Sequence, residues 1–221
     1  MNPLIVESSA PVTLIAGGPV MRADLRLAQK HAPMVVAADG GADRALALGV
    51  RPAAVIGDFD SISAAAKAQL QGAQMLHLAE QETTDFDKAL RSIRAPMVLA
   101  LGVMGGRADH ALAVLSGLVR HRANGGAPCV LLGPKDVVFA APRHLRLRLP
   151  VGERLSLFPL APVRGQSRGL RWPIDGLVLA PDGRIGTSNC TDARDVELTF
   201  DSDAMLVILP RKCLGAVLRA L

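Results

Sequence analysis

From residue 12 to residue 133 the chain repeats one pattern, a short unbroken apolar run followed by a stretch of helix formers at helical spacing. The runs fall at residues 12–16, 34–38, 53–56, 75–78, 97–101 and 129–132. They are too short for ordinary helices and too continuous for strands with one wet face, so they read as strands buried on both sides. The stretches between them, at residues 20–30, 42–48, 64–70, 85–93 and 109–123, supply the crossovers that parallel strands need. That grammar predicts an α/β fold: an N-terminal doubly wound, mostly parallel sheet with helices on both faces.

Near Pro134 the grammar changes. Leu145, Leu147 and Leu149 alternate with His144, Arg146 and Arg148, the period of a strand with one dry and one solvated face. Short segments at 154–158, 177–180, 196–200 and 205–209 follow, separated by Pro, Gly and Asp turns. They predict a C-terminal all-β sandwich. The division falls at Gly133-Pro134-Lys135-Asp136, giving an α/β domain over residues 1–134 and a sandwich over 135–221.

Composition narrows the partners. Half of the 221 residues are apolar, enough for a large core, and the net charge of +5 is carried mostly by Arg, which grips phosphate oxygens bidentately. Anionic small substrates fit that balance. Nucleic acid is set aside, because the basic residues are scattered, aromatic content is 3% and Tyr is absent. Cys129, Cys190 and Cys213 show no metal-ligand or disulfide spacing and read as packed, reduced thiols. The start of the chain carries no signal-peptide pattern, and no apolar stretch is long enough for a bilayer, so a soluble cytoplasmic protein is expected.

The polar residues that stand out follow the apolar runs, where ligands of open parallel sheets collect. Gly17-Gly18 follows the first run, Asp39-Gly40-Gly41 the second, Gly57-Asp58 the third, and Gly102 with Gly105-Gly106 the fifth. Any one of these glycines is an ordinary turn residue; together they leave room for phosphate to approach backbone. In Ile56-Gly57-Asp58-Phe59-Asp60-Ser61, an extended chain would point the carboxylates of Asp58 and Asp60 the same way, as a hard divalent cation requires. The structural alternative makes Asp60 or Ser61 the cap of the next helix. Asp85, in Thr84-Asp85-Phe86-Asp87, adds a third acidic site, unless it or Thr84 is simply a cap. Lys88 reaches the same phosphates or is solvated. Arg107, before Asp109 and His110 at the start of a long helix, is placed to grip an anion; alternatively Asp109 is an N-cap and His110 a packing residue. No GxxxxGK[ST], GxGxxG or GxSxG motif is present, and the five His are dispersed, so P-loop, dinucleotide, serine-hydrolase and zinc chemistries drop out.

Taken together these segments resemble the thiamine pyrophosphokinase (thiamine diphosphokinase) family. The likeness rests on Ala38-Asp39-Gly40-Gly41-Ala42 with Arg44, Leu48 and Gly49, on residues 56–61, on Thr84-Asp85 with Lys88-Ala89-Leu90, and on Gly105-Gly106-Arg107 with Asp109-His110. Gly169-Leu170-Arg171-Trp172-Pro173 and Thr187-Ser188-Asn189 resemble the family's thiamine-binding segments. The resemblance implies transfer of ATP's terminal pyrophosphoryl group to the hydroxyl of thiamine, with Mg²⁺ required. It implies Asp58, Asp60 and Asp85 as metal ligands and catalytic residues together with Arg107. Asp39, Gly40, Gly41, Lys88, Arg107, Asp109 and His110 would line the nucleotide site. Trp172, which would otherwise be a core residue, would stack on thiamine, and Ser188 and Asn189 would bond its aminopyrimidine. A homodimer with sites between subunits is implied as well. Two departures stand out: Glu82 replaces the family's usual Asp, and Gly186 a polar residue. A related enzyme acting on a pterin alcohol, or a catalytically silent nucleotide or thiamine sensor, are the alternative readings.

Overall fold

The computed structural model describes residues 6–221, so the first five positions of the start read above for a targeting signal lie outside the described residues. The chain divides into two compact units, one reaching His121 and including Gly125–Gly133, the other comprising Arg122–Asn124 and Pro134–Leu221.

In the first unit β1 (Val6–Glu7) precedes β2 (Val12–Ile15), α1 (Arg22–His31), β3 (Met34–Ala38), α2 (Gly41–Ala47), β4 (Ala54–Gly57) and α3 (Ala64–Gln69). There follow β5 (Gln74–His77), α4 (Asp85–Arg91), β6 (Ile93–Arg94), β7 (Val98–Leu101), α5 (Ala108–Ala123) and β8 (Cys129–Leu132). The parallel sheet of this unit runs in the order β8-β7-β2-β3-β4-β5. It grows from β2 through β3 and β4 to β5, then from β7 to β8 on the other side, which is the doubly wound arrangement. In a sheet wound in both directions, right-handed crossovers put the two sets of helices on opposite faces. The apolar runs of β2, β4, β7 and β8 are buried along their whole length. β5 departs from expectation: it is largely exposed, because it is the edge strand, paired only with β4. The short parallel pair of β1 with β6 was not signalled by the pattern.

The second unit carries β9 (Asp136–Ala140), β10 (His144–Arg148), β11 (Arg154–Pro159), β12 (Val163–Arg168), β13 (Val178–Leu179), β14 (Gly186–Cys190), β15 (Asp195–Phe200) and β16 (Met205–Pro210). A 3₁₀ turn over Arg211–Cys213 leads into α6 (Leu214–Ala220), which lies against β10. The strands form two antiparallel groups, β14-β11-β16-β9 and β10-β15-β12-β13. Leu145 and Leu147 of β10 face Leu198 and Val196 of β15 in register, and all four are buried. The alternate residues are exposed, where Glu197 accepts hydrogen bonds from His144 at 2.7 Å and from Arg146 at 2.9 Å. β9, β12, β14 and α6 go beyond the segments expected. β12 and β14 are mostly polar, and they are strands because β15 and β11 supply their pairing. Among the described residues the three cysteines are free, and no helix is long and apolar enough to cross a membrane.

Candidate active site

Three acidic loops meet at the carboxyl ends of β3 and β4 and the start of α4. Ala38 pairs with Ile56, so the loops after β3 and β4 leave the sheet side by side, and the Asp39 N–H donates to the Ile56 carbonyl at 2.8 Å. Asp39 is buried and has φ +43°, a conformation costing a non-glycine residue about 1–3 kcal/mol. Gly57 lies directly beneath. A Cβ there would sit 2.8 Å from the Asp39 Cβ and 3.2 Å from Asp85 Oδ1, so the absence of a side chain is what lets these two carboxylates approach.

Asp58 and Asp60 come together by a different route from the extended chain expected. β4 ends at Gly57, and Phe59 turns with φ +65° to pack on the core of Ala37, Val55, Ile62 and Leu70. Phe59 is therefore an anchor, held also by Lys67 Nζ on its carbonyl at 3.0 Å and by a ring contact with His77, while the carboxylates on either side are left free of the core. The cap of α3 is Ser63, whose Oγ accepts from the Ala66 N–H at 3.1 Å, and neither Asp60 nor Ser61. Asp60 instead accepts from Ser61 Oγ at 2.8 Å, and its own N–H donates to Asp58 Oδ1 at 3.3 Å.

Capping frees Asp85 as well. Thr84 is the N-cap of α4, its hydroxyl accepting from the Asp87 N–H at 3.2 Å while Asp87 reaches back to the Thr84 N–H at 3.3 Å. Asp85, one residue on, is spared that duty. Its Oδ1 accepts from Lys88 Nζ at 3.1 Å, and the same ammonium lies 3.5 Å from Asp58 Oδ2. Lys88 is 2% exposed, which overturns the solvated alternative for this residue. Burial by itself would lower the Lys88 pKa, but the hydrogen bond and charge of Asp85, then the charge of Asp58, hold it above the usual lysine value. Burial likewise pushes Asp58 up; the Asp60 N–H, the Gln81 amide at 3.2 Å and Lys88 outweigh it and bring the carboxyl below its ordinary value.

Asp39, Asp58 and Asp60 each present one oxygen within 4.8 Å of the others, a spacing that a single hard cation can bridge. Asp39 Oδ1 is buried with no hydrogen-bond partner, and the Asp39 carboxyl is held above the usual range chiefly by burial. A buried, unsatisfied carboxylate oxygen on a member of such a group is a feature a divalent ion would complete. Asp85 stands outside this close group and is tied to it through Lys88.

At the head of α5, Arg107 and Asp109 pair with each other, Nε to Oδ1 at 3.1 Å and Nη2 to Oδ2 at 2.6 Å, both exposed. Asp109 lies inside the first turn of α5 and is not its cap, and His110 is exposed, so the packing role is overturned. The Arg107 hydrogen bond holds the Asp109 carboxyl down to about 2. Gly40 caps α2, and Gly41 opens it so close to β2 that a Cβ would meet the Ile15 carbonyl at 2.0 Å.

In the second unit Trp172 is 54% exposed, which removes the core reading. The Arg171 guanidinium covers its ring at 5.1 Å from the centroid. Asn189 is buried: Oδ1 accepts from the N–H groups of Trp172 at 3.2 Å and Cys190 at 2.8 Å, and Nδ2 donates to the Trp172 carbonyl at 2.7 Å. The structure thus gives Asn189 a clamp on the Trp172 backbone beside the pyrimidine contact expected of it. Ser188 stays exposed. The β11–β14 register slips between Leu155–Asn189 and Leu157–Gly186, and Ser188 occupies that bulge with φ +59°. The glycine at 186 follows from the same geometry, since a Cβ there would lie 2.9 Å from the Leu157 Cβ.

The residues missing from the expectation are Gln81, which holds Asp58, and Gly57 in its role as spacer. Glu82, noted as a departure, is exposed, and its N–H donates to Glu80 Oε2 at 2.8 Å. No periodicity marks Gln81; Gly57 stands in the sequence among the glycines that leave room for phosphate, and its role as a spacer between Asp39 and Asp85 has no local signal.

Two family models match the chain: "Thiamin pyrophosphokinase, catalytic domain" over residues 25–130, and "Thiamin pyrophosphokinase, vitamin B1 binding domain" over residues 144–205. Thiamine pyrophosphokinase 1 of Oryza sativa subsp. japonica is 28% identical over 213 residues, covering 80% of this chain and 79% of the relative. Thiamine pyrophosphokinase of Bacillus subtilis (strain 168) is 32% identical over 108 residues, 46% of this chain and 50% of the relative. Among solved structures, thiamin pyrophosphokinase from Candida albicans aligns with a TM-score of 0.79 at 17% identity, covering 95% of this chain and 94% of that one, a likeness of fold.

Proposed function

We infer that this chain, which belongs to the thiamin pyrophosphokinase family, transfers the terminal pyrophosphoryl group of ATP to the hydroxyl of thiamine, giving thiamine diphosphate and AMP. The observation that carries the reading is that both family domains match, one on each unit, and that the catalytic match contains the carboxylate cluster. The pterin-alcohol and sensor alternatives draw no comparable support.

Asp39, Asp58 and Asp60 would hold Mg²⁺, with Asp85 reaching it through water; the unsatisfied Asp39 Oδ1 is what makes this donor set fit. Bound Mg²⁺ would neutralise and orient the polyphosphate. Arg107 would exchange Asp109 for phosphate oxygens, keeping bidentate geometry and steadying the charge that shifts toward the departing AMP. As the hydroxyl oxygen attacks the β-phosphorus, a carboxylate of the cluster accepts its proton and the bond to the AMP oxygen breaks. There is little covalent work for the protein in such a transfer, so positioning and charge dominate. The Trp172 face would take the flat thiamine cation, with Asn189 fixing the ring's backbone and Ser188 offering a hydroxyl. The three free cysteines suit a reducing compartment such as the cytoplasm.

The test is AMP release from ATP and Mg²⁺ with thiamine or with hydroxymethylpterin as acceptor. Thiamine should support turnover; release with the pterin alone would replace this reading, and release with neither would favour the sensor.

A further inference from the structure

Among the described residues Lys88 is one of the largest fully buried side chains, and its charge sits among carboxylates. Its ammonium has three N–H donors; Asp85 Oδ1 at 3.1 Å and Asp58 Oδ2 at 3.5 Å take two of them. Asp58 is thereby shared. Its Oδ2 faces Lys88 and Gln81, while Oδ1 accepts from the Asp60 N–H, and the same residue belongs to the close group with Asp39 and Asp60. The four carboxylates thus separate into a trio that can close on one cation and a pair, Asp58 with Asp85, already bridged by a cation belonging to the chain.

We propose that Lys88 is a positioning residue that occupies the second cationic place of this cluster, so that the site takes one divalent ion and not two. The inference rests on reading Asp39, Asp58 and Asp60 as a cation site, for which the buried unpartnered Asp39 Oδ1 is the independent sign. A second divalent ion between Asp58 and Asp85 would have to sit against a buried ammonium within a few ångströms, where like charges repel. A fixed lysine also keeps Asp58 and Asp85 aligned before metal arrives, so less reorganisation is left for the loaded enzyme. Of the two expectations for Lys88, phosphate contact or solvation, burial removes the second, and the carboxylates hold two of its three N–H donors.

The experiment is a Mn²⁺ titration of the full chain without nucleotide or thiamine, followed by electron paramagnetic resonance of free Mn²⁺ and by melting temperature. Wild type should bind one Mn²⁺ per chain, K88M two, with a larger rise in melting temperature on adding Mn²⁺. The charge-balanced double variant K88M/D85N should return to one. A folded K88M that binds one Mn²⁺ with unchanged affinity overturns the proposal. So does a K88M that keeps one Mn²⁺ but loses metal-free ATP binding, which would make Lys88 a phosphate ligand. If K88M does not fold without metal, folding on addition of Mn²⁺, or folding of K88M/D85N with one Mn²⁺ bound, supports the counter-cation role; failure of both variants to fold in either condition makes Lys88 a packing residue and overturns it. Wild type that binds no Mn²⁺ removes the cation-site reading beneath the inference, independently of whether thiamine is turned over.

Discussion

Asp58 and Trp172 carry different parts of the chemistry, and single substitutions separate them. Asp58→Asn keeps the volume and the Gln81 contact but removes charge from the group that links the close trio to Lys88. Turnover should fall by about 10³-fold, the scale of losing one preorganised electrostatic group, with the circular dichroism spectrum unchanged; near-normal turnover would remove Asp58 from the reaction. Trp172→Ala deletes an exposed ring and leaves the core alone. The KM for thiamine should rise about tenfold, within the range of a cation–π contact, while the KM for ATP stays put. Loss of fold in that variant would contradict the exposure. Asp58 and Asp60 were legible because two acids two apart at a strand end are a local pattern. The contributions of Asp39 Oδ1, Gln81 and Lys88 were not, because what defines them is adjacency between β3, β4 and α4, which no local spacing encodes.

At the scale of elements, helix capping decides which acids are available. Thr84 and Asp87 satisfy the start of α4, and Ser63 satisfies α3, so Asp85, Asp58 and Asp60 are not consumed as caps. The turn before α4 is held by Glu80, which accepts from the Thr83 N–H at 3.0 Å, the Thr83 hydroxyl and Arg91. The Thr83 hydroxyl first, then Arg91, hold the Glu80 carboxyl down to about 2. A carboxyl whose folded pKa lies below its unfolded value contributes stability above the unfolded pKa and loses it as pH falls toward the folded one. Glu80→Gln should therefore be less stable than wild type in urea at pH 7, with the difference shrinking as pH falls from about 5 toward 2. A difference that stays constant with pH would assign the effect to shape and not to charge. Elements were read well where periodicity was strong, as for β3, whose bounds coincide with the expected run. β12 and β14 escaped because polar strands of this kind are made by their neighbours. β5 shows the converse, an apolar-looking run whose exposure is decided by its place at the sheet edge.

For the whole molecule, the two units match two domains of one family, and the resemblance stated above implies a homodimer. We expect sedimentation equilibrium to return about twice the chain mass at micromolar concentration, as closed two-fold dimers are the commonest oligomer. A monomer retaining full turnover would show that a site needs only one chain.

The sequence by itself determined the alternation of buried strands and helices before Pro134, the change of architecture after it, the acidic strand ends and the family, because these are written in local period, turn chemistry and motif spacing. Tertiary structure alone decided that Asp39 joins Asp58 and Asp60, that Lys88 is buried between Asp58 and Asp85, and that Asn189 holds Trp172. Those outcomes depend on which strands lie side by side and where a bulge or a left-handed residue turns the chain, and such contacts are made only when distant segments pack.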